Sequence, residues 1–470
     1  MLSLQIVKDG KSPFIYKQIY ETLKEKILAK KLLPHTKLPS KRELANTLRV
    51  SVNSVTNAYE QLLAEGYIYA IERKGYYVEE ITTFTKQTDE RAPFPYELKE
   101  TVVDKTGWLS FSHMTADGRR FPFHQWLKCQ QQAIQNHRAE LSELAHPQGP
   151  YTVRKTISEW IRLHRGVICE PEQIVIGPGT QPLIERLMSI QDEKTVVALE
   201  NPGYYRFYSL LKKMNLSVLP IDIDKHGIPI GELNVNGATF VIVTPSHQFP
   251  TGKIMPISRR IELLNWAVQA ENRYIIEDDY DSEYKYKTDH IPSLQSLDKH
   301  DRVIYTGTFS KTLLPSFRIS YMVLPPKILK EYKHYYDDFM HTNDTLNLLT
   351  LHYFIKSGEY HRHLKRMNEH YEQRRQLLID KLTKKFGRLI EIEDIPAGLH
   401  FFASFQSERT YEDIEARAKK ERLELYTLKR FLLKKTWQQN RKRSVAIGFA
   451  NIEISDLDEA VERLYRVFYR

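Results

Sequence analysis

Short apolar runs at residues 174–176, 196–199, 240–243, 274–276, 303–305 and 319–323 recur along the middle of the chain, each separated from the next by a longer intervening stretch. They are rich in Val, Ile and Tyr and lack the apolar/polar alternation of a strand with one wet face, so both of their faces must be covered. Helices between the strands supply that cover, and the pattern predicts an α/β domain around a largely parallel sheet from about residue 108. Beyond about residue 357 helix formers dominate, ending in an amphipathic stretch over 456–468, which predicts a smaller C-terminal subdomain. With 470 residues, 41% of them hydrophobic and 11% aromatic, the chain has room for two to three domains and is expected to fold throughout.

The first 80 residues obey a different pattern. Ile15, Ile19, Leu23 and Ile27 recur every fourth residue and line one face of a helix over 14–29. After Pro34 and Pro39, Ser40 and Glu43 form an S-x-x-E capping box that starts a second helix ending near Leu48. Ser51 caps a third, running from Val52 to about Glu65, with Val55, Tyr59, Leu62 and Leu63 inward and Gly66 as its stop. Two β-prone runs, 67–71 and 76–78, flank the turn Glu72-Arg73-Lys74-Gly75 and predict a hairpin wing. Thr82, Thr83, Thr85, Pro93 and Pro95 then mark an exposed linker. The expected division is a winged helix-turn-helix over 1–80, a linker over 81–107 and the α/β domain over 108–470.

A helix-turn-helix puts the N-terminal side chains of its second helix at base edges in the major groove of double-stranded DNA. Ser51, Asn53, Ser54 and Asn57 are the candidates here. Lys41 and Arg42 at the start of the preceding helix, with Arg73 and Lys74 at the wing tip, supply charge for phosphates. The alternative is a helix-turn-helix used only for protein contacts. The formal net charge of +10 suits a polyanionic partner without identifying one. Residues 1–80 hold thirteen Lys and Arg against nine Asp and Glu, and residues 429–443 carry seven basic residues and no acidic one. That second cluster reads first as a solvated face; Lys434, Lys435, Arg441, Lys442 and Arg443 could also add nonspecific attraction to DNA.

Cys129 and Cys169 are far apart and belong to no Cys/His cluster, so neither a disulfide framework nor a metal site is expected. No apolar run approaches the roughly 18 residues of a membrane span. Lysines at 8, 11, 17, 24 and 26 interrupt the start of the chain where a signal peptide would need an apolar core, and a cytoplasmic setting is expected.

Three segments of the α/β domain together meet the needs of a pyridoxal 5′-phosphate (PLP) site, which must neutralise a phosphate, hold an aldehyde as an imine and keep a pyridine nitrogen protonated. Thr308-Phe309-Ser310-Lys311 offers two hydroxyls for phosphate and one amine for the Schiff base, and Arg318 adds a fixed charge seven residues on. Gly179, Thr180 and Gln181, between a strand and a helix, can aim backbone N–H groups at the same phosphate. At the end of a strand Asp278 can face the pyridine nitrogen and Tyr280 the ring hydroxyl, while Tyr204 could stack on the ring. Taken singly, Lys311 would be a surface lysine and the Asp-Asp pair a strand end. Order and spacing argue otherwise.

The run Pro39-Ser40-Lys41-Arg42-Glu43-Leu44-Ala45, with Ser51-Val52-Asn53-Ser54-Val55 and Tyr59-Glu60-Gln61-Leu62, resembles the GntR family of winged helix-turn-helix regulators. That family commonly has Arg where Val52 stands, which shifts the base-reading role to Asn53 and Arg42. Residues 108–470 resemble the fold-type I aminotransferases, with Ser310-Lys311 and Arg318 most specific. Ser316-Phe317 replaces a frequent Gly-Leu, and His247-Gln248-Phe249-Pro250-Thr251-Gly252 stands where Asn-Pro-x-Gly is usual, so that His247 or Gln248 takes the ring-hydroxyl contact. The fusion of the two is similar to the MocR family, and to its γ-aminobutyrate-responsive member over nearly the whole chain. The resemblance implies a head-to-tail domain-swapped homodimer and an internal aldimine on Lys311. It also implies that an amino-acid effector, γ-aminobutyrate by this likeness, forms an external aldimine and so activates genes for its own catabolism. By position, Arg206 and Arg430 match the family's carboxylate-binding arginines. Two other readings stay open: a working aminotransferase with an autoregulatory DNA-binding domain, and a DNA reader on a PLP-free scaffold.

Overall fold

The computed structural model describes residues 14–82, 94–101, 104–113, 117–286, 291–434 and 442–470. The chain divides into two compact units, Met1–Val103 and Asp104–Arg470. Of the expected linker, residues 83–93 and 102–103 lie outside the described residues; Tyr96–Leu98 forms one exposed 3-10 turn.

The first unit holds three helices, α1 (Ile15–Leu28), α2 (Lys41–Leu48) and α3 (Val52–Ala64), and a hairpin of β1 (Ile68–Ile71) with β2 (Gly75–Val78). Ser40 and Glu43 make the reciprocal capping box at the start of α2. Arg49, in the left-handed region at φ 53°, closes that helix, and Ser51 accepts from the Ser54 N–H at 3.1 Å to open α3. The core gathers Ile19, Leu23, Ile27, Leu44, Val55, Tyr59, Leu62, Ile68 and Val78. Leu63 departs from expectation: it is 42% exposed and Ala58 is buried instead. The stripe 55, 58, 59, 62 already spans the inward arc of α3, and one further residue turns about 100° away from it.

The second unit is built on a seven-stranded sheet: β3 (Ile174–Gly177), β4 (Val196–Asn201), β5 (Ser217–Asp222), β6 (Phe240–Val243), β7 (Tyr274–Asp279), β8 (Val303–Thr308) and β9 (Ser320–Val323), in the spatial order β3-β9-β8-β7-β6-β4-β5. Only β9 runs antiparallel to its neighbours. Alternate residues enter different cores, Val197, Ile242 and Ile276 in one and Ala198, Val241 and Ile275 in the other, so both faces are covered, as the unbroken apolar runs required. β5 was not foreseen. Its Ser217 is exposed and it contains Pro220, both tolerated because it is an edge strand of the sheet.

The C-terminal part carries a second, antiparallel sheet of β10 (Ile390–Glu393), β11 (His400–Gln406), β12 (Tyr426–Thr427) and β13 (Lys442–Gly448). The 28-residue helix α5 (Glu359–Phe386) and the last helix, α6 (Leu457–Tyr469), pack on it through Leu378, Leu382, Phe386, Val461, Leu464 and Phe468. The helix α4 (Thr180–Ser189) follows β3 directly and starts at the candidate site. Cys129 and Cys169 are free thiols. Among the described residues no helix is long and apolar enough to cross a membrane.

Candidate functional site

A cavity opens at the C-terminal ends of β4, β7 and β8, the end of an open α/β sheet where backbone groups and loops converge. Its wall includes Gly179, Thr180, Gln181, Tyr204, Arg206, Asp278, Tyr280, Thr308, Ser310, Lys311 and Arg318. Eleven candidates scattered over 140 residues of sequence thus share one space.

Lys311 follows the last residue of β8 by three positions and its Nζ donates to the backbone carbonyl of His113. Burial pushes its amine down to about 8, against the opposing pull of the Asp281 anion. A primary amine with that value is substantially more nucleophilic at neutral pH than a surface lysine.

The side of the cavity nearest α4 is suited to an anion. Arg318 stands in the left-handed region at φ 52°, with its carbonyl accepting from Asn343 Nδ2 at 2.9 Å, and its guanidinium makes no ion pair with any described residue. Gly179, at φ 132°, lets the α4 N-terminus come so close to that guanidinium that a Cβ at 179 would collide with it. Ser310 Oγ is buried without a hydrogen-bond partner, and Thr308 Oγ1 receives both Ser310 N at 3.1 Å and Ser320 Oγ at 2.8 Å. An unpaired hydroxyl, an unpaired guanidinium and a glycine cradle at a helix start are the donor set of a phosphate site.

Asp278 lies on β7 opposite Thr306 of β8, which donates to its Oδ1 at 3.0 Å. Burial, with the neighbouring anions Asp279 and Asp281 adding to it, pushes its carboxyl up to about 7. A buried carboxyl facing a cavity with no cationic partner among the described residues fits a ligand that brings a protonated nitrogen. Tyr280 is held far above its ordinary range, first by burial and then by Asp281 and Asp278, so its hydroxyl stays a donor. The residues present therefore fit PLP at both ends of that molecule and at its reactive carbon.

His247 does not line the cavity. Its Nδ1 lies 3.0 Å from Asp281 Oδ2 and 3.0 Å from Tyr280 Oη, so it stands behind Tyr280. Gln248 is likewise occupied, donating to the Pro202 carbonyl at 3.0 Å and accepting from Thr251. Arg206 is on the cavity wall, whereas Arg430 is exposed, 5.1 Å above the Tyr426 ring and 3.7 Å from Glu415. Sequence reasoning missed His113, Glu200 and Phe249, which also line the space. His113 acts through its backbone carbonyl, which no residue type advertises. Of the basic cluster, Lys435 and Arg441 lie outside the described residues, Lys434 pairs with Asp222 at 2.9 Å and Lys442 with Glu391 at 2.8 Å.

In the first unit Arg42, Ser51, Asn53, Asn57, Arg73 and Lys74 are exposed and Ser54 is half-buried. Lys41 is partly spent: it pairs with Glu60 at 3.6 Å and lies over the Tyr76 ring. Ser51 Oγ is committed to its cap.

Residues 105–464 match the model of the aminotransferase class I and II family, and residues 15–78 that of the bacterial regulatory proteins of the gntR family. The chain is 35% identical over 451 residues, 96% of each chain, to the uncharacterized HTH-type transcriptional regulator YdeL of Bacillus subtilis. It is 28% identical to the probable rhizopine catabolism regulatory protein MocR of Rhizobium meliloti, over 99% of this chain and 96% of that one. Among solved structures it is similar to the kynurenine aminotransferase of Pyrococcus horikoshii, with a TM-score of 0.69 and 20% identity, covering 80% of this chain and 96% of that one.

Proposed function

The chain belongs to the MocR family of GntR-type transcription regulators, with an aminotransferase class I domain behind its helix-turn-helix, and on that premise we propose that it senses an amino acid at PLP held by Lys311 and passes the signal to promoter DNA. The observation that carries this reading is the single cavity in which a depressed lysine amine, a buried Asp278 and the Gly179, Ser310 and Arg318 cluster face one another. Thr180, Gln181 and Thr308 would complete the phosphate end, Tyr204 would cover the ring and Tyr280 would meet its hydroxyl. Bound there, PLP supplies an aldehyde carbon that condenses with primary amines. The protein's own part is to hold it, keep its ring nitrogen protonated through Asp278 and present the Lys311 amine.

An effector amine that also bears a carboxylate needs a planar cation at a distance from the reacting nitrogen. Arg206, on the cavity wall, is that partner, and Arg430 joins it by leaving the Tyr426 face. γ-Aminobutyrate is the effector this arrangement is read to take, on family likeness, with genes for its use as the target. The paired readers of a head-to-tail homodimer then place Asn53, Asn57 and Arg42 at bases and Arg73 and Lys74 at phosphates, in the cytoplasm.

The test is a spectral titration of the PLP-loaded protein with a panel of amino acids, repeated with promoter DNA. γ-Aminobutyrate is expected to change the visible band; no visible band in the wild type, or an unchanged one in Lys311→Ala, contradicts the reading. The intact set of Lys311, Asp278 and Arg318 in an aminotransferase fold also favours a second reading, a working aminotransferase. Many turnovers per site with γ-aminobutyrate and a keto acid would establish it; single-turnover behaviour supports the sensor.

A further inference from the structure

Behind Tyr280, in the cavity wall, sits a buried polar pair, His247 and Asp281, that the proposed function leaves unused. Asp281 presents both carboxylate oxygens to His247 Nδ1, at 3.1 and 3.0 Å, and Tyr280 Oη lies 3.0 Å from that same nitrogen and 3.0 Å from the His247 carbonyl. The ring has been given room: a Cβ at Gly398 would collide with it, and one at Gly252 would lie 3.1 Å from Nε2. Nε2 is buried without a partner. One nitrogen carries one proton, so these contacts compete.

Resting on the PLP reading, we propose that Asp281 pins the His247 proton on Nδ1 and thereby denies Tyr280 an acceptor there, so that the Tyr280 hydroxyl donates into the cavity, to the ring oxygen of the bound cofactor. His247 and Asp281 are positioning residues acting through Tyr280. An ionised Asp281 makes Nδ1–H the favoured tautomer and leaves Nε2 bare, which matches its lack of a donor or acceptor. With Nδ1 protonated, Tyr280 can donate only to the His247 carbonyl or to a ligand, and a phenolate-like oxygen is the stronger acceptor. The other titratable groups around the chain are His400, whose ring centre is 4.9 Å from that of His247, then Lys311, and Asp278, Asp279 and Glu200 on the Tyr280 side. His400 is committed through Nε2 to the Pro250 carbonyl at 3.0 Å. His247, Asp281 and His400 hold ligand atoms within 4.8 Å of one another, yet those hydrogen bonds already use Nδ1 of the first and Nε2 of the last.

The experiment compares the pH midpoint of the visible band in PLP-loaded wild type, Asp281→Asn, Tyr280→Phe and the double variant. A donor to the ring oxygen withdraws the negative charge that favours the protonated nitrogen at Lys311, so its loss raises the midpoint. Tyr280→Phe is expected to raise it by roughly one pH unit. Asp281→Asn frees Nδ1 to accept from Tyr280 and raises it too, and that rise vanishes in the Tyr280→Phe background. A charge effect through space acts oppositely: loss of the anion lowers the midpoint, equally in both backgrounds, and that result overturns the proposal. The protein prepared without PLP provides a second readout, a downfield Nδ1–H resonance in the 15N-histidine spectrum that Asp281→Asn abolishes. If that resonance is absent from the wild type the chain is not as described. If it is present but no visible band forms, the PLP reading fails and the coupling with it, while the Asp281–His247 pair stands.

Discussion

Burial acts in opposite senses on the two titratable groups that matter most in the cavity. It drives Lys311 down to about 8, enlarging the neutral, nucleophilic fraction, and drives Asp278 up to about 7. Between the ordinary aspartate range and pH 7 the folded protein therefore holds a proton on Asp278 that the unfolded chain has released, and stability falls as pH rises through that window. Asn at 278 stays neutral and still accepts from Thr306. Asp278→Asn is expected to raise the melting temperature of the PLP-free protein at pH 8 by about 2 °C or more, to do less at pH 5, and to weaken PLP at least about tenfold, about 1.4 kcal/mol. Equal shifts at both pH values would refute the assignment. Gly179→Ala tests the anion end: its Cβ displaces the Arg318 guanidinium, and PLP affinity measured by absorbance titration is expected to drop roughly tenfold or more, while an unchanged affinity would remove Arg318 from the phosphate site.

At the scale of elements, the helix-turn-helix depends on two short helices whose ends are fixed by serine side chains. Ser40→Ala removes the hydroxyl half of the α2 capping box, the acceptor for the Glu43 N–H, while the backbone N–H of residue 40 still reaches the Glu43 carboxylate, and is expected to cost about 1 kcal/mol in denaturant unfolding of the DNA-binding unit. Arg73→Ala and Lys74→Ala at the wing are each expected to reduce the slope of log affinity against log salt by about 1, whereas Asn53→Ala leaves that slope in place and relaxes discrimination between operator and mutated DNA. The sequence made most of these elements legible because periodicity and capping are local: α1, α2, α3 and the hairpin follow from residues that touch one another along the chain. Six of the seven central strands were visible as apolar runs, but β7 and β8 run on to Asp279 and Thr308, polar ends that carry the site. β5 was hidden by its polar start and Pro220, since an edge strand needs no continuous apolar signature. Within the site, residue types with a dedicated chemistry, Lys311, Asp278 and Arg318, could be placed by spacing. His247 could not, because whether a side chain meets the ligand or stands behind Tyr280 depends on Gly252 and Gly398 making space for its ring.

At the scale of the whole molecule, a ligand can change DNA binding only if it has different affinities for the DNA-competent and DNA-incompetent states, and by linkage DNA changes the ligand's affinity by the same factor. Under the proposed function Lys311 is the group through which that difference enters, as the amine that an effector would replace on PLP. The most direct measurement follows the affinity of the PLP-loaded protein for a labelled promoter fragment as γ-aminobutyrate is titrated, in wild type and in Lys311→Ala, with the visible band read in the same cuvette. The account predicts that in the wild type the band and the DNA affinity change over the same range of γ-aminobutyrate, and that in Lys311→Ala DNA still binds but no longer responds. A visible band that changes fully while the DNA affinity stays constant would contradict it.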